Sequence, residues 1–120
     1  MIIKKTYKVN DGDVVRISSF LANAALVFKT SSFIRNFDYL DLFLYIYTND
    51  KLLSKKVRFK DLSIYSSKSD VYLTKFLKIG LETGYLNFTR GKKDKRIKNY
   101  YVTKMSTPFF QKLYSFKKLD

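Results

Sequence analysis

The sequence contains no cysteine, no histidine and no tryptophan, and only one proline among its 120 residues. Without cysteine and histidine, the chain cannot form a disulfide, a zinc finger, a Ser-His-Asp triad or a histidine proton relay. The ten acidic residues are scattered, and the nearest pair, Asp11 and Asp13, fits a turn and a helix cap better than a catalytic pair. We therefore expect no enzymatic activity, no cofactor and no metal ion.

Long apolar runs are also missing. Leaving tyrosine aside, the longest run beyond the N-terminus covers residues 24–28, whereas a helix that crosses a bilayer needs roughly 18 to 20 apolar residues. The first eight residues lack the apolar core and cleavage site of a signal peptide. We expect a cytoplasmic, nucleoid-associated protein that does not span a membrane, although charge alone leaves attachment to an anionic membrane surface open.

The chain has a large surplus of positive charge. Lys and Arg number 24 against 10 Asp and Glu, giving a net charge of +14, while 46% hydrophobic residues favour a folded domain over a disordered tail. The basic residues of the first half look dispersed, whereas residues 90–98 hold six basic side chains and one acidic side chain. Such a run is often only a solvated surface, but it also suits an anionic partner.

The first half of the chain predicts an arm or short strand over residues 1–12 and then three helices. The first helix, from Val14 to about Phe33 with Asp11 or Asp13 as its cap, has two apolar rows and therefore more apolar surface than one core contact needs. A second helix is predicted from Tyr39 to Tyr47, and a brief strand at residues 55–57. Asp38 is the predicted cap of the second helix, and residues 48–50 end it. A third helix is predicted from Phe59 to Tyr65, anchored by Phe59, Leu62 and Tyr65.

A fourth helix is predicted over residues 68–83, after a break at Ser66 and Ser67 that offers a cap. At 100° per residue its apolar side chains fall on one arc, where Gly80 indicates close helix packing, and Gly84 suits a left-handed C-cap. The opposite arc carries the polar side chains and one exposed aliphatic residue: Ser67, Val71, Thr74, Lys75, Lys78 and Glu82.

The remaining residues predict a hairpin and a last helix. Strands at residues 85–89 and 97–103 flank the basic run, so the tip of the hairpin is cationic. Thr107 as an N-cap with Pro108 at the first helical position begins a helix over residues 107–119. This order of elements predicts a mainly α (α+β) fold, a winged helix-turn-helix, in a single domain over residues 1–120.

The winged-helix segments also resemble a known family. Residues 69–77 and 81–86 resemble the recognition helix and following strand of MarR-type winged-helix regulators, and residues 90–96 with 100–103 resemble the wing, including its Asp-x-Arg at Asp94–Arg96. The resemblance covers residues 37–103. It implies that Asp94 braces the wing, that Arg96 enters the minor groove, and that helices at residues 13–35 and 107–119 form a homodimer. It also allows a small-molecule effector, which no residue of this chain supports.

The favoured function is that of a dimeric transcription regulator that binds duplex DNA. A helix over residues 68–83 fits the major groove, and a basic wing over residues 85–103 reaches the backbone or the minor groove. The candidate DNA-binding residues are Ser67, Lys68, Ser69, Val71, Thr74, Lys75, Lys78, Arg90, Lys92, Lys93, Lys95, Arg96 and Lys98.

Two other functions stay open from the sequence. One is an architectural or replication accessory protein that binds DNA without sequence preference. The other is a module that binds and inhibits an acidic protein partner. Competition by unrelated DNA separates the first alternative from an operator-specific regulator, and an interaction that survives nuclease treatment identifies the second.

Overall fold

The structure, a computed structural model, describes residues 10–113. Its helices are α1 (Asp11–Thr30), α2 (Phe37–Tyr47), α3 (Phe59–Tyr65), α4 (Asp70–Glu82) and α5 (Thr107–Leu113). Two antiparallel strands, β1 (Leu86–Arg90) and β2 (Lys98–Val102), form a hairpin between α4 and α5. The predicted mainly α winged-helix fold is confirmed.

Asparagine side chains cap the first two helices, so the predicted aspartate caps are wrong. Asn10 and Asn36 have extended backbones, and their side-chain oxygens accept hydrogen bonds of 2.8 Å from the backbone N–H groups of Asp13 and Tyr39. The aspartates instead lie in the first helical turns, where a negative charge is favourable next to the free N–H groups. Residues 11 and 12 therefore belong to α1, and the rest of the predicted arm, residues 1–9, lies outside the described part.

The first helix is shorter than predicted at its C-terminal end. It stops at Thr30 because Ser31 adopts an extended conformation (φ −75°, ψ 140°), and the Ser31 hydroxyl accepts hydrogen bonds from the backbone N–H groups of Phe33 and Ile34. Phe33 and Ile34 lie in the loop after α1, and both side chains are fully buried in the core. The buried residues of this loop continue the apolar spacing of α1, so the sequence predicted a longer helix.

The second helix forms the centre of the core, as its apolar sequence predicts. Tyr39, Leu40, Leu42, Phe43 and Ile46 of α2 are buried. The helix ends at Tyr47 as predicted, and a π-helical turn (Thr48–Leu52) follows it directly. The brief strand predicted at residues 55–57 reduces to a single bridge between Val57 and Tyr100 of β2.

The third helix has the predicted bounds, but Tyr65 does not anchor it in the core. Tyr65 is 46% exposed, and its ring stacks on Tyr45 with a centroid separation of 4.1 Å. Its hydroxyl donates a hydrogen bond to Asp41, which together with burial raises the pKa of Tyr65. Leu62 is the fully buried anchor.

Helix α4 begins later than predicted, and Ser69 rather than Ser66 or Ser67 is its cap. The Ser69 hydroxyl oxygen accepts a hydrogen bond from the N–H of Tyr72 at 3.2 Å. Gly80 lies at a close approach, but to a strand and a loop and not to another helix: a Cβ there would lie 2.5 Å from Leu86 Cδ1 and 2.9 Å from Phe33 Cζ. Gly84 has a φ of +81°, so the predicted left-handed turn is confirmed.

The last described elements differ from prediction in detail. The strands pair from Leu86 with Val102 to Arg90 with Lys98, so each of the four predicted strand boundaries differs from the observed one by one residue. Thr107 is not an N-cap, because its backbone is already helical (φ −56°, ψ −50°) and a 3-10 turn (Lys104–Ser106) leads into α5. The predicted helix beyond residue 113 lies outside the described residues.

Candidate nucleic-acid interface

The outward face of α4 carries the side chains that a DNA groove would meet. Thr74, Lys75 and Lys78 are exposed, and Val71 is 81% exposed, whereas Leu73, Phe76 and Leu77 on the opposite face are buried. The Lys78 ammonium lies 4.0 Å from Glu82, but both side chains are exposed, so the pair holds Lys78 only weakly. This helix therefore presents two cations, a hydroxyl and an aliphatic group to solvent.

The three predicted site residues before α4 have different surroundings. Ser67 is exposed, while Ser69 uses its hydroxyl oxygen to cap the helix. The Lys68 ammonium is 3.1 Å from the Asp38 carboxylate and 5.2 Å from the ring centroid of Tyr72. Lys68 therefore already has an anionic partner, and a phosphate would have to compete with Asp38 for it.

The tip of the wing has a defined shape. Asp94 Oδ1 accepts hydrogen bonds from the backbone N–H and the Nε of Arg96, and Asp94 Oδ2 accepts a third from an Arg96 terminal nitrogen, all at 3.0 to 3.1 Å. These bonds lower the pKa of Asp94 and raise the pKa of Arg96. Arg90 donates across the turn to the carbonyl oxygen of Lys95 at 2.9 Å.

The cations of the wing divide into two groups by their surroundings. Arg90 and Lys98 lie over the ring of Phe88, with their charged groups 5.4 Å and 4.7 Å from its centroid. At the tip, Lys92, Lys93 and Lys95 are exposed, and the Arg96 side chain is 91% exposed. The tip group therefore faces solvent, while the base group packs on an aromatic surface.

The structure brings the wing and the outward face of α4 to one groove. This groove, which we call the α4–wing groove, has a volume of about 500 Å³ and is lined by residues that include Thr74, Lys78 and Lys98. The close contact between Gly80 and Leu86 fixes α4 against β1. Two segments that were predicted separately from the sequence thus line one groove, which the Glu82 carboxylate also lines.

Sequence reasoning missed a further set of cations beside the wing. The bridge from the Tyr100 N–H to the Val57 carbonyl oxygen, 2.7 Å long, places Arg58 and Lys60 next to Arg96 and Lys98. The basic residues at this part of the first half are therefore not dispersed. The signal was present in the sequence, since residues 55–60 hold four basic and no acidic side chains.

A ridge of apolar side chains is exposed along the N-terminal half of α1. Val14, Ile17 and Leu21 are 48%, 61% and 49% exposed, and they recur on one face of the helix. Further along, α1 packs on α5, where the Asn23 side-chain amide donates to the Leu113 carbonyl oxygen at 3.2 Å. One face of α1 is thus covered within the chain, and another is open to solvent.

Two further features are absent between residues 10 and 113. Across that range, no three acidic side chains come together in a way that would hold a metal ion. The helices described there are also too short or too polar to pass through a bilayer.

Comparison with known proteins identifies the fold. No protein-family model and no curated protein sequence matches the chain. Among solved structures, the chain is similar to the heme sensor protein PefR from Streptococcus agalactiae, crystallised with heme, at 18% identity and a TM-score of 0.59. It is also similar to the adhesin competence repressor AdcR from Streptococcus pyogenes, at 17% identity and a TM-score of 0.51.

The matches cover more of this chain than of the two similar proteins. Both cover 82% of this chain, but only 64% of the PefR chain and 67% of the AdcR chain. The chain therefore spans slightly less than two thirds of the PefR structure that it matches. At this level of identity the comparison establishes architecture, and it supports the resemblance drawn from the recognition helix and the wing. The chain shares a winged helix-turn-helix fold with PefR and AdcR.

Proposed function

We propose that the protein is a dimeric transcription regulator that binds duplex DNA, with α4 in the major groove and the wing on the backbone or the minor groove. The observation that carries this proposal is the convergence of the outward face of α4 and the basic hairpin on the α4–wing groove. A helix of this diameter fits the major groove, and a hairpin beside it reaches the flanking phosphates.

The exposed side chains supply both kinds of contact that a regulator needs. Lys75, Lys78 and Thr74 donate hydrogen bonds to base edges or phosphates, and the Val71 methyl groups pack against a thymine methyl. The wing lysines neutralise phosphates and fix the position of the protein on the duplex. Because Asp94 orients the Arg96 guanidinium in the free protein, less side-chain freedom is lost when Arg96 binds.

The exposed ridge on α1 supports the dimer. Val14, Ile17 and Leu21 lie on one helical face, and pairing this face with that of a second copy would bury all three side chains. A two-fold dimer would present two α4 helices to successive major grooves, about 34 Å apart. Its operator would therefore be palindromic.

Replacing Arg96 with alanine tests the wing assignment. We expect the Arg96→Ala protein to bind its duplex about 1 to 3 kcal/mol more weakly, because one charge-assisted contact is lost. Fluorescence anisotropy at fixed salt measures the change. Lys29→Ala, at an exposed position in the last turn of α1, is the matched control and should bind like the wild type. Equal affinity of the Arg96→Ala and wild-type proteins would show that the wing tip does not contact DNA.

Selection of bound sequences from a random duplex pool tests operator recognition. At near-physiological salt we expect enrichment of a palindromic consensus. The protein should bind this consensus at least about a thousandfold more tightly than unrelated duplex DNA. The expectation follows from two base-reading helices in one dimer. A pool without enrichment, together with a specificity ratio below about tenfold, would instead identify an architectural DNA-binding protein. No binding to any duplex would contradict both functions.

A further inference from the structure

A second cleft lies beside the α4–wing groove, between the start of α3 and the base of the wing. We call it the α3–wing cleft; its volume is about 280 Å³. Phe59 and Tyr100 line both the cleft and the groove, so the two are continuous. The Val57–Tyr100 hydrogen bond holds the two walls of the cleft together.

The α3–wing cleft has cations on both of its walls. Arg58 and Lys60 stand on the α3 side, and Arg96 and Lys98 on the wing side. Two carboxylates lie close by: Asp61, with its Oδ2 3.5 Å from Arg58 Nε, and Asp94, which is bonded to Arg96. The four basic groups exceed these two acidic ones, so the cleft attracts anions.

The two carboxylates orient the arginines without using all of their donors. Arg96 bonds Asp94 through Nε and one terminal nitrogen, which leaves the other terminal nitrogen for a further acceptor. Arg58 approaches Asp61 through Nε, and the same Asp61 oxygen also accepts the Arg58 backbone N–H at 2.8 Å. Two guanidinium groups thus flank one cleft with donors to spare, an arrangement that suits the oxygens of a phosphate.

We propose that the α3–wing cleft binds one backbone phosphate of the DNA duplex, held jointly by Arg58 and Arg96. The proposal rests on the proposed function, because the phosphate belongs to the duplex that occupies the adjacent groove. A backbone phosphate fits better than a free anion because the cleft is open and the Arg96 side chain on its wing side is 91% exposed. The site extends the contact surface from the wing to the start of α3.

A double-mutant cycle on Arg58→Gln and Arg96→Gln tests this site. Each variant should bind duplex DNA about 5- to 50-fold more weakly, by the usual effect of losing one phosphate contact. Because both arginines hold the same phosphate, the double variant should bind far more tightly than the product of the two single effects predicts. The slope of log affinity against log salt should become shallower by about 0.9 in either single variant and by little more in the double variant.

Several outcomes would overturn the proposal. If Arg58→Gln binds like the wild type, the α3 wall does not contact the duplex. If the two effects multiply and the slope changes by about 1.8 in the double variant, the arginines hold separate phosphates. Failure of the wild type to bind any duplex would contradict the proposed function itself, and is distinct from these results.

A further arm of the experiment separates backbone phosphate from free phosphate. Replacing chloride with inorganic phosphate at equal ionic strength should affect wild-type and Arg58→Gln binding equally. A phosphate effect confined to the wild type would assign the cleft to a free anion. Lys29→Gln is the matched control, and the Lys29→Gln and Arg58→Gln proteins should unfold at the wild-type temperature, because the Arg58→Gln substitution keeps the backbone N–H that donates to Asp61.

Discussion

Raising the salt concentration from about 50 mM to about 200 mM is expected to weaken duplex binding by about a thousand- to ten-thousandfold. The reason is that the exposed cations of α4 and the wing bind by displacing counterions from the phosphates. If about six to eight of them make such contacts, log affinity falls against log salt with a slope of about −5 to −7. Lys68 is a weak contributor, because Asp38 already lies 3.1 Å from its ammonium.

Anisotropy titrations at four or more potassium chloride concentrations measure this slope. A variant with Lys92, Lys93 and Lys95 all changed to Gln should have a slope shallower by about 2.7, since three exposed cations are removed. The control variant with Lys29 changed to Gln should keep the full slope. A wild-type slope shallower than about −2 would mean that the charge surplus serves solubility rather than DNA binding.

Replacing Phe33 with alanine is expected to lower the free energy of unfolding by about 3 to 5 kcal/mol. Phe33 is fully buried, and its ring lies 5.0 to 6.0 Å from the rings of Tyr39, Phe43, Phe76 and Tyr85. These neighbours come from α2, α4 and the start of the wing, so they cannot all move into the cavity. Domains of this size are stable by only about 5 to 15 kcal/mol, so the loss is a large fraction of the total.

Urea unfolding followed by circular dichroism measures the loss. Ile64→Ala is the matched control, because Ile64 is 74% exposed and its removal should change the stability by no more than about 0.5 kcal/mol. Phe33→Leu should lie between the two variants, since it leaves a smaller cavity. A Phe33→Ala protein within about 1 kcal/mol of the wild type would show that the loop between α1 and α2 does not seal the core.

Much of the fold could be predicted where local chemistry decides it. The bounds of α3 and the left-handed Gly84 follow from residues that break or permit backbone conformations. The caps could not be assigned, because Asn10 and Asp11 are both good capping residues and only the backbone of Asn10 is extended. The end of α1 was predicted wrongly for a different reason: Phe33 keeps the helical spacing, although it lies in a loop and its side chain is buried in the core.

The candidate interface could be predicted only within each segment. Helical periodicity separates the buried and outward faces of α4, and the basic hairpin is visible as a run of charge. Contacts between distant segments are beyond such patterns. The pairing of Lys68 with Asp38 and the approach of Arg58 to the wing depend on packing between residues about 30 and 40 positions apart.

The packing of α1 on α5 has a consequence for how the chain folds during synthesis. The Asn23–Leu113 hydrogen bond joins residues 90 positions apart. The side of α1 that contacts α5 therefore cannot be covered until nearly the whole chain has been synthesised. At about 5 to 20 residues per second, that delay is about 5 to 18 seconds. Until then, the side of α1 that α5 covers stays accessible to chaperones.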